Sequence, residues 1–249
     1  VHSLRLSTRP DSISPEVLET LGGHQVATVE LGVQSMDDEV LRISRRGYGG
    51  QEVIKAVRDL QQGDFEVGIQ LMIGLPGDSA HTFAATVEAV IAMRPHFVRL
   101  YPTLVIKGTA LERRLWQGRY PPLSLEEAVT LAKKALQQFR GAGIPVIRVG
   151  LQPSASLEAP GTIVAGPYHP AFRQVVESAL LYEQAASLLA GLARAEKNPP
   201  TFLVSPQDIS TFSGQHGHNI KRLREAFGLR EINVRPDPQQ ERGTISLSS

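Results

Sequence analysis

Short runs with strand character, separated by helical segments, constrain the fold of this chain more than any other feature. These runs occupy residues 4–7, 26–33, 67–73, 97–106 and 144–151. Apolar residues recur at helical spacing over residues 53–60 and 83–91, and a capping box of Ser124 and Glu127 begins a further helix. Strand and helix alternate at intervals of about 30 to 45 residues, which is typical of βα units around a parallel sheet. The pattern predicts an α/β fold with too few strands for a complete eight-stranded barrel.

Composition excludes several classes of function. The chain has no cysteine, so it can form no disulfide, no zinc–thiolate site, no cysteine nucleophile and no cysteine-ligated iron–sulfur cluster of its own. Its 26 Lys and Arg nearly balance 25 Asp and Glu, which argues against a polycation but leaves room for a local basic patch. No apolar run approaches the roughly 18 residues that span a bilayer. We therefore expect a cytoplasmic protein with no membrane partner. The absence of an initiator methionine suggests that the sequence is a fragment of a longer protein.

The sequence predicts three consecutive regions. Residues 1–155 form the parallel α/β part, residues 156–198 form a linker and a long helix, and residues 199–249 form a small α+β module. The linker begins with a turn-rich segment that leaves the sheet, and the long helix runs from residue 172 to about residue 195, before an Asn-Pro-Pro break.

Polar residues follow several of the predicted strands. Gln34 ends the second strand, where ligands gather in parallel α/β folds, although Gln34 and Ser35 could equally cap the next helix. Arg45 and Arg46 could bind a carboxylate or phosphate, or could complement the end of a helix dipole. Lys107 could bind an anion or lie on an ordinary surface. The glycine- and proline-containing segment 73–79 is by itself no more than a tight βα loop.

In order and spacing, these segments together resemble one family. The matching segments are residues 7–11, 30–35, 45–48, 72–77, 101–112 and 116–120. They resemble the radical S-adenosylmethionine (SAM) domain of the Elongator catalytic-subunit family over about residues 3–153. The segment 165–170 is similar to the short bacterial branch, which lacks the acetyltransferase-like domain.

The resemblance implies a partial (β/α) barrel that holds a [4Fe–4S] cluster and SAM at the strand carboxyl ends. Cleavage of SAM there yields a 5′-deoxyadenosyl radical that abstracts a substrate hydrogen. The resemblance assigns Gln34 and Arg46 to the methionyl part of SAM. It assigns the loop of Gly74, Leu75 and Pro76 to the adenine and ribose. The other residues expected near the cofactor are Gln70, Ser7, Arg9 and Lys107. Because the family's three cluster cysteines have no counterpart here, the cluster belongs to the intact parent and this chain alone should be inactive.

The last region resembles a KH domain, which binds nucleic acid. Its glycine loop, residues 214–217, lies between two helical segments and offers backbone N–H groups to phosphates. The residues expected to contact nucleic acid are Gly214, Gln215, His216, Gly217, Asn219 and Lys221. The alternative is a small α/β cap that closes the open side of the barrel. We expect no metal ligands among the histidines.

These observations favour part of a radical SAM enzyme that modifies tRNA or another RNA. Two alternatives stay open: a radical SAM oxidoreductase acting on a small molecule, similar to oxygen-independent coproporphyrinogen oxidase, and a non-catalytic KH-type RNA-binding protein. No catalytic residue can be assigned from the sequence.

Overall fold

The computed structural model describes residues 3–192 and 199–248. The chain divides into two compact units, Val1–Pro170 and Ala171–Ser249. No helix among the described residues is long and apolar enough to cross a membrane.

A five-stranded parallel sheet forms the centre of the first unit. Its strands lie in the order β1, β2, β3, β4, β6, and neighbours in this order pair in parallel. Their bounds are Leu4–Thr8 (β1), Val26–Gln34 (β2), Glu66–Ile73 (β3), Phe97–Pro102 (β4) and Val146–Val149 (β6). The sheet is open, with β1 and β6 at its two edges. The predicted parallel α/β fold that does not close into a full barrel is therefore confirmed.

Six helices connect these strands. They are Pro15–Gly23 (α1), Asp38–Ile43 (α2), Gly50–Gln62 (α3), Ala80–Met93 (α4), Ala110–Trp116 (α5) and Leu125–Gly141 (α6). The apolar stripes predicted for α3 and α4 are buried, and the predicted capping box of Ser124 and Glu127 begins α6. Such caps satisfy backbone N–H groups that would otherwise lack partners at the start of a helix.

The two faces of the sheet differ in chemistry because side chains alternate along each strand. One face is apolar and is buried along β2 and β3, where it includes Val29, Leu31 and Ile69. The opposite face carries Glu30, which is 2% exposed. The Glu30 carboxylate accepts a hydrogen bond from Gln70 and forms ion pairs with two arginines, Arg5 and Arg99. These partners offset the cost of burying the Glu30 carboxylate, since a buried charge needs pairing.

The predicted strand at residues 97–106 is in fact two strands in different sheets. After β4, the Thr103 N–H still donates to the Ile73 carbonyl at 2.9 Å, and the chain then leaves the main sheet. The next strand, Val105–Ile106 (β5), pairs antiparallel with Ile163–Ala165 (β7). The segment after residue 156 thus returns to the first unit instead of serving as a linker.

The second unit contains the long predicted helix, Phe172–Ala190 (α7), as part of its core. Leu181, Ala185 and Leu189 of α7 share one apolar cluster with Phe202 and Phe212. The boundary between units therefore lies between residues 170 and 171, not at residue 198, because this helix buries its apolar side against the C-terminal strands. The predicted end of the helix, near residue 195, falls outside the described residues.

The rest of the second unit contains strands and, as expected from the sequence, two helices on either side of the glycine loop. Its elements are Thr201–Val204 (β8), Ile209–Ser213 (α8), His218–Phe227 (α9), Asn233–Pro236 (β9) and Ile245–Leu247 (β10). Strand β8 lies between β10, which is antiparallel to it, and β9, which is parallel to it. A turn at residues 206–208 precedes α8. The likeness to a KH domain stays a prediction.

Candidate functional site

Gln34, at the carboxyl end of β2, has an unusual backbone conformation. Its φ is +67°, in the left-handed region, and the register with β3 shifts between Gly32 and Gln34. The residue is only 9% exposed, yet its side-chain amide makes no hydrogen bond to a described residue. Non-glycine residues with positive φ cost free energy and cluster at functional sites. The structure therefore holds a polar amide without a protein partner at the end of a central strand.

The Gln34 amide and the Arg46 guanidinium converge over Gly32. A Cβ atom built on Gly32 would lie 2.8 Å from Gln34 Nε2 and 3.9 Å from Arg46 Nη2. The missing side chain of this glycine is what lets both groups approach the strand. Gln34 and Arg46, the two residues expected to hold the methionyl part of SAM, are thus brought together.

Tyr48 fixes the position of Arg46. Its hydroxyl donates to the Gly32 carbonyl at 2.5 Å, and Arg46 Nε donates to the Tyr48 oxygen at 3.2 Å. Burial raises the pKa of Tyr48, so the phenol stays a neutral donor near pH 7. Arg9 donates to the Arg46 carbonyl and forms an ion pair with Asp11. Arg9, which follows β1, therefore helps to hold the backbone of Arg46 in place. From the sequence, Arg9 is expected in this region, near the cofactor.

A tightly braced loop follows β3. The Asp78 carboxylate accepts hydrogen bonds from the Gly74 and Ser79 N–H groups and from the Thr82 hydroxyl. Burial nevertheless raises the pKa of Asp78, and these hydrogen bonds offset only part of that rise. The Tyr120 hydroxyl donates to the Gly74 carbonyl at 2.6 Å, and burial, assisted by Asp78, raises the pKa of Tyr120 to about 12. The loop that carries Leu75 and Pro76 is therefore fixed from both sides.

A cleft of about 610 Å³ adjoins this loop and Arg46. Leu75 and Pro76 line it, as does Thr103. The hydroxyls of Thr103 and Ser44 are buried in the cleft wall and have no hydrogen-bond partner within the described part of the chain. Buried hydroxyls without partners cost free energy, which a ligand in the cleft could recover. These two hydroxyls were not predicted from the sequence.

Arginines dominate the charge of this cleft. No Asp or Glu is among the residues that line the cleft. Five arginines line it: Arg45, Arg46, Arg113, Arg114 and Arg119. From the sequence, Arg45 and Arg46 were singled out as a pair that could bind an anion. The others lie on or just after α5, within the segment 101–120 that carried the family resemblance, but no pattern in that segment indicated that they would face the loop after β3.

The remaining predicted cofactor residues lie elsewhere. Gln70 Nε2 lies 3.4 Å from the Ser7 hydroxyl, and both belong to the polar face of the sheet around Glu30. Lys107 is exposed after β5 and is not among the residues that line the cleft. Neither Gln34 nor Ser35 caps the next helix: the N-cap of α2 is Asp37, whose carboxylate accepts from the Val40 N–H, and the Ser35 hydroxyl accepts from the N–H of Asp37. The roles expected for Gln70, Ser7 and Lys107 stay predictions.

In the second unit, the predicted glycine loop connects α8 to α9. Gly217 has a φ of +73°, and a Cβ at this position would meet no atom within 4 Å. Lys221 is exposed on α9. Asn219, by contrast, is 5% exposed and donates from Nδ2 to the Phe212 carbonyl and to Ser178. The side chain of Asn219 therefore holds the unit together and is not free for nucleic acid.

Gly214, Gln215 and His216 complete the loop, and His216 has a positive φ of +52°. The nucleic-acid roles of Gly214, Gln215, His216, Gly217 and Lys221 stay predictions. No group of three or more metal-ligating side chains occurs within residues 3–192 and 199–248.

Comparisons with known proteins identify the family of this chain. The model of the Radical SAM superfamily matches residues 1–90, and that of the Radical SAM C-terminal domain matches residues 95–181. A tRNA uridine(34) acetyltransferase of Methanocaldococcus infernus is 32% identical over 136 residues, which are 53% of this chain and 26% of that protein. The chain spans less than half the length of the curated relatives it matches.

Solved structures show the same fold. Archaeal Elp3 of Methanocaldococcus infernus, with an N-terminal deletion, superposes with a TM-score of 0.64 at 27% identity, over 73% of this chain and 42% of that one. Coproporphyrinogen III oxidase (HemN) of Escherichia coli superposes with a TM-score of 0.51 at 19% identity, over 57% of this chain and 32% of that one. The second likeness concerns the fold alone.

Proposed function

This chain belongs to the radical SAM superfamily, and from that premise we propose that the carboxyl end of its sheet binds SAM. The predicted resemblance to the Elongator catalytic-subunit family is confirmed by the similarity to a tRNA uridine(34) acetyltransferase and to archaeal Elp3. We propose further that a protein containing these residues acts on tRNA or another RNA. When bound, SAM would supply hydrogen-abstraction chemistry, and the residues of this chain would bind, orient and shield it.

The convergence of Gln34 and Arg46 over Gly32 carries this proposal. The Arg46 guanidinium would donate to the methionyl carboxylate, since charge-assisted hydrogen bonds of this kind are short and strong. The Gln34 amide oxygen would accept from the methionyl ammonium, which gives this amide the partner it lacks within the described residues. Tyr48 would keep Arg46 in place through its hydrogen bond.

The cleft offers matching groups for the nucleoside part of SAM. Leu75 and Pro76 present apolar surface, and the buried hydroxyls of Ser44 and Thr103 could bond to the ribose or adenine. Because Asp78 and Tyr120 brace the loop from two sides, it would bind the nucleoside with little loss of conformational freedom. The residues present therefore fit SAM.

The residues present do not fit an iron–sulfur cluster. The chain contains no cysteine, and cysteine thiolates are the usual ligands of such clusters. We therefore expect this chain on its own to bind SAM without cleaving it. A 5′-deoxyadenosine product from this chain alone, with SAM and a chemical reductant, would contradict that expectation.

The test of the SAM site is an equilibrium dialysis of labelled SAM against the full chain. Gln34→Ala and Arg46→Ala should each weaken binding by roughly 1 to 3 kcal/mol, the usual contribution of a buried or charged hydrogen bond. Gln62→Ala and Arg58→Ala on the exposed side of α3 are matched controls, and both should bind SAM like the unaltered chain. Unchanged affinity in both site variants would refute the proposed location of SAM.

A further inference from the structure

Four arginines of the cleft lack anionic partners among the residues that the structure describes. No described residue forms an ion pair with Arg45, Arg113, Arg114 or Arg119. Other arginines of the same unit are paired, such as Arg5 with Glu30 and Arg42 with Glu39. Guanidiniums that share a concave surface repel one another, and this field attracts anions.

SAM alone cannot neutralise these arginines. It carries a sulfonium, an ammonium and a single carboxylate, so its net charge is positive. If Arg46 takes that carboxylate, the other four guanidiniums of the cleft keep their full charge. The arrangement therefore calls for a second ligand with several negative groups.

Helix α5, which contributes Arg113 and Arg114 to the cleft, also carries an exposed aromatic side chain outside the cleft lining. Trp116 is 71% exposed and lies three residues after Arg113, a spacing that places both on one side of the helix. Its indole N–H lies 3.4 Å from Glu112 Oε1, which restrains the ring. Proteins that bind single-stranded nucleic acid combine a basic groove with exposed aromatic rings on which bases stack.

We propose that Arg45, Arg113, Arg114 and Arg119 bind successive phosphates of an RNA substrate and that Trp116 stacks against one of its unpaired bases. The proposal rests on the function proposed above and adds the surface that holds the substrate. An acidic polypeptide would also neutralise the arginines, but it would leave the exposed indole without a stacking partner. The apolar walls of the cleft, including Leu104 and Leu111, would receive a base drawn in from the loop.

The first experiment measures the binding of a fluorescein-labelled RNA stem–loop to the full chain over a range of salt concentrations. Three or four phosphate contacts predict a logarithmic salt slope of about −2 to −3. Arg113→Ala and Arg119→Ala should each weaken binding about tenfold and reduce the slope by about 0.7. Arg58→Ala removes the same charge from α3 and should change neither quantity. Equal affinities for all three variants would overturn the proposal.

The second experiment uses the fluorescence of Trp116, which is the single tryptophan of the sequence. Saturating RNA should quench it, and Trp116→Ala should weaken RNA binding about tenfold. This signal separates the cleft from any RNA contact made by the glycine loop of the second unit. Absent quenching, or equal binding and quenching by polyglutamate, would refute an RNA-specific surface.

The two proposals can fail separately. If the unaltered chain binds SAM but its RNA binding is insensitive to these arginines, only the RNA surface is refuted. If RNA binding depends on the arginines and quenches Trp116 while SAM does not bind, only the SAM site is refuted.

Discussion

Replacing Gly32 with alanine should separate ligand binding from folding. The new Cβ would lie 2.8 Å from Gln34 Nε2, whereas an ordinary contact begins near 3.4 Å. The amide would have to move by about 0.6 Å, beyond the tolerance of roughly 0.5 Å within which a binding group keeps its geometry. Because Nε2 is the far end of a flexible side chain, this movement should cost the fold little. We therefore expect Gly32→Ala to impair the site and to spare stability.

The size of the effect follows from the lost contact. A hydrogen bond between the Gln34 amide and a charged group of SAM contributes about 1.5 to 3 kcal/mol, so SAM affinity should fall at least about tenfold. The melting temperature should change by less than about 2 °C, since 1 kcal/mol corresponds to about 2 to 4 °C in a chain of this size.

Gly68→Ala on β3 is the matched control. Its Cβ would lie 2.1 Å from a ring carbon of Phe97, whose ring is buried and has little room to move. This substitution should destabilise the first unit by about 1 to 3 kcal/mol through overpacking. Equilibrium dialysis of SAM and thermal denaturation by circular dichroism measure both variants. If Gly32→Ala binds SAM normally, or unfolds as early as Gly68→Ala, the reasoning about Gln34 is refuted.

Two further predictions concern buried polar groups. Tyr120→Phe should lower the free energy of unfolding by about 1 kcal/mol in urea titrations, because it removes a hydrogen bond to a backbone carbonyl. The pKa of Tyr120 in the folded protein, about 12, exceeds the value of about 10 in the unfolded chain. The stabilising contribution of Tyr120 is therefore present below pH 10 and is lost as pH rises toward 12. Over that interval the phenylalanine variant should lose less stability than the unaltered chain. Asn219→Ala should lower the free energy of unfolding by about 2 kcal/mol, and unchanged stability would contradict its structural role.

Local patterns predicted the elements that depend on neighbouring residues. The apolar stripe of α3 and the capping box at Ser124 are determined within a few residues of sequence, so both could be predicted. The separation of β4 from β5 could not, because β5 pairs with a strand more than fifty residues further along the chain. The same reason applies to α7, whose apolar side is covered by strands beyond residue 200.

The candidate site shows the same division. Gln34 and Arg46 were singled out because Gln34 ends β2 and Arg46 follows α2, and the family resemblance assigned both to SAM. Arg113 and Arg114 of α5 were missed because only the folded chain brings residues 113 and 114 next to residues 43–46. Asn219 was assigned to a nucleic-acid surface because it follows the glycine loop, yet its partner Ser178 lies 41 residues earlier in sequence.

The left-handed backbone at Gln34 also bears on which residues this position can tolerate. A chain selected only for stability would favour glycine there, since glycine adopts such a φ without steric penalty and the tip of the glutamine forms no bond within the described protein. Retaining a long amide at that bend sacrifices stability to keep a chemical group at the end of the strand. Related chains that have lost the ligand should drift toward glycine or asparagine at this position.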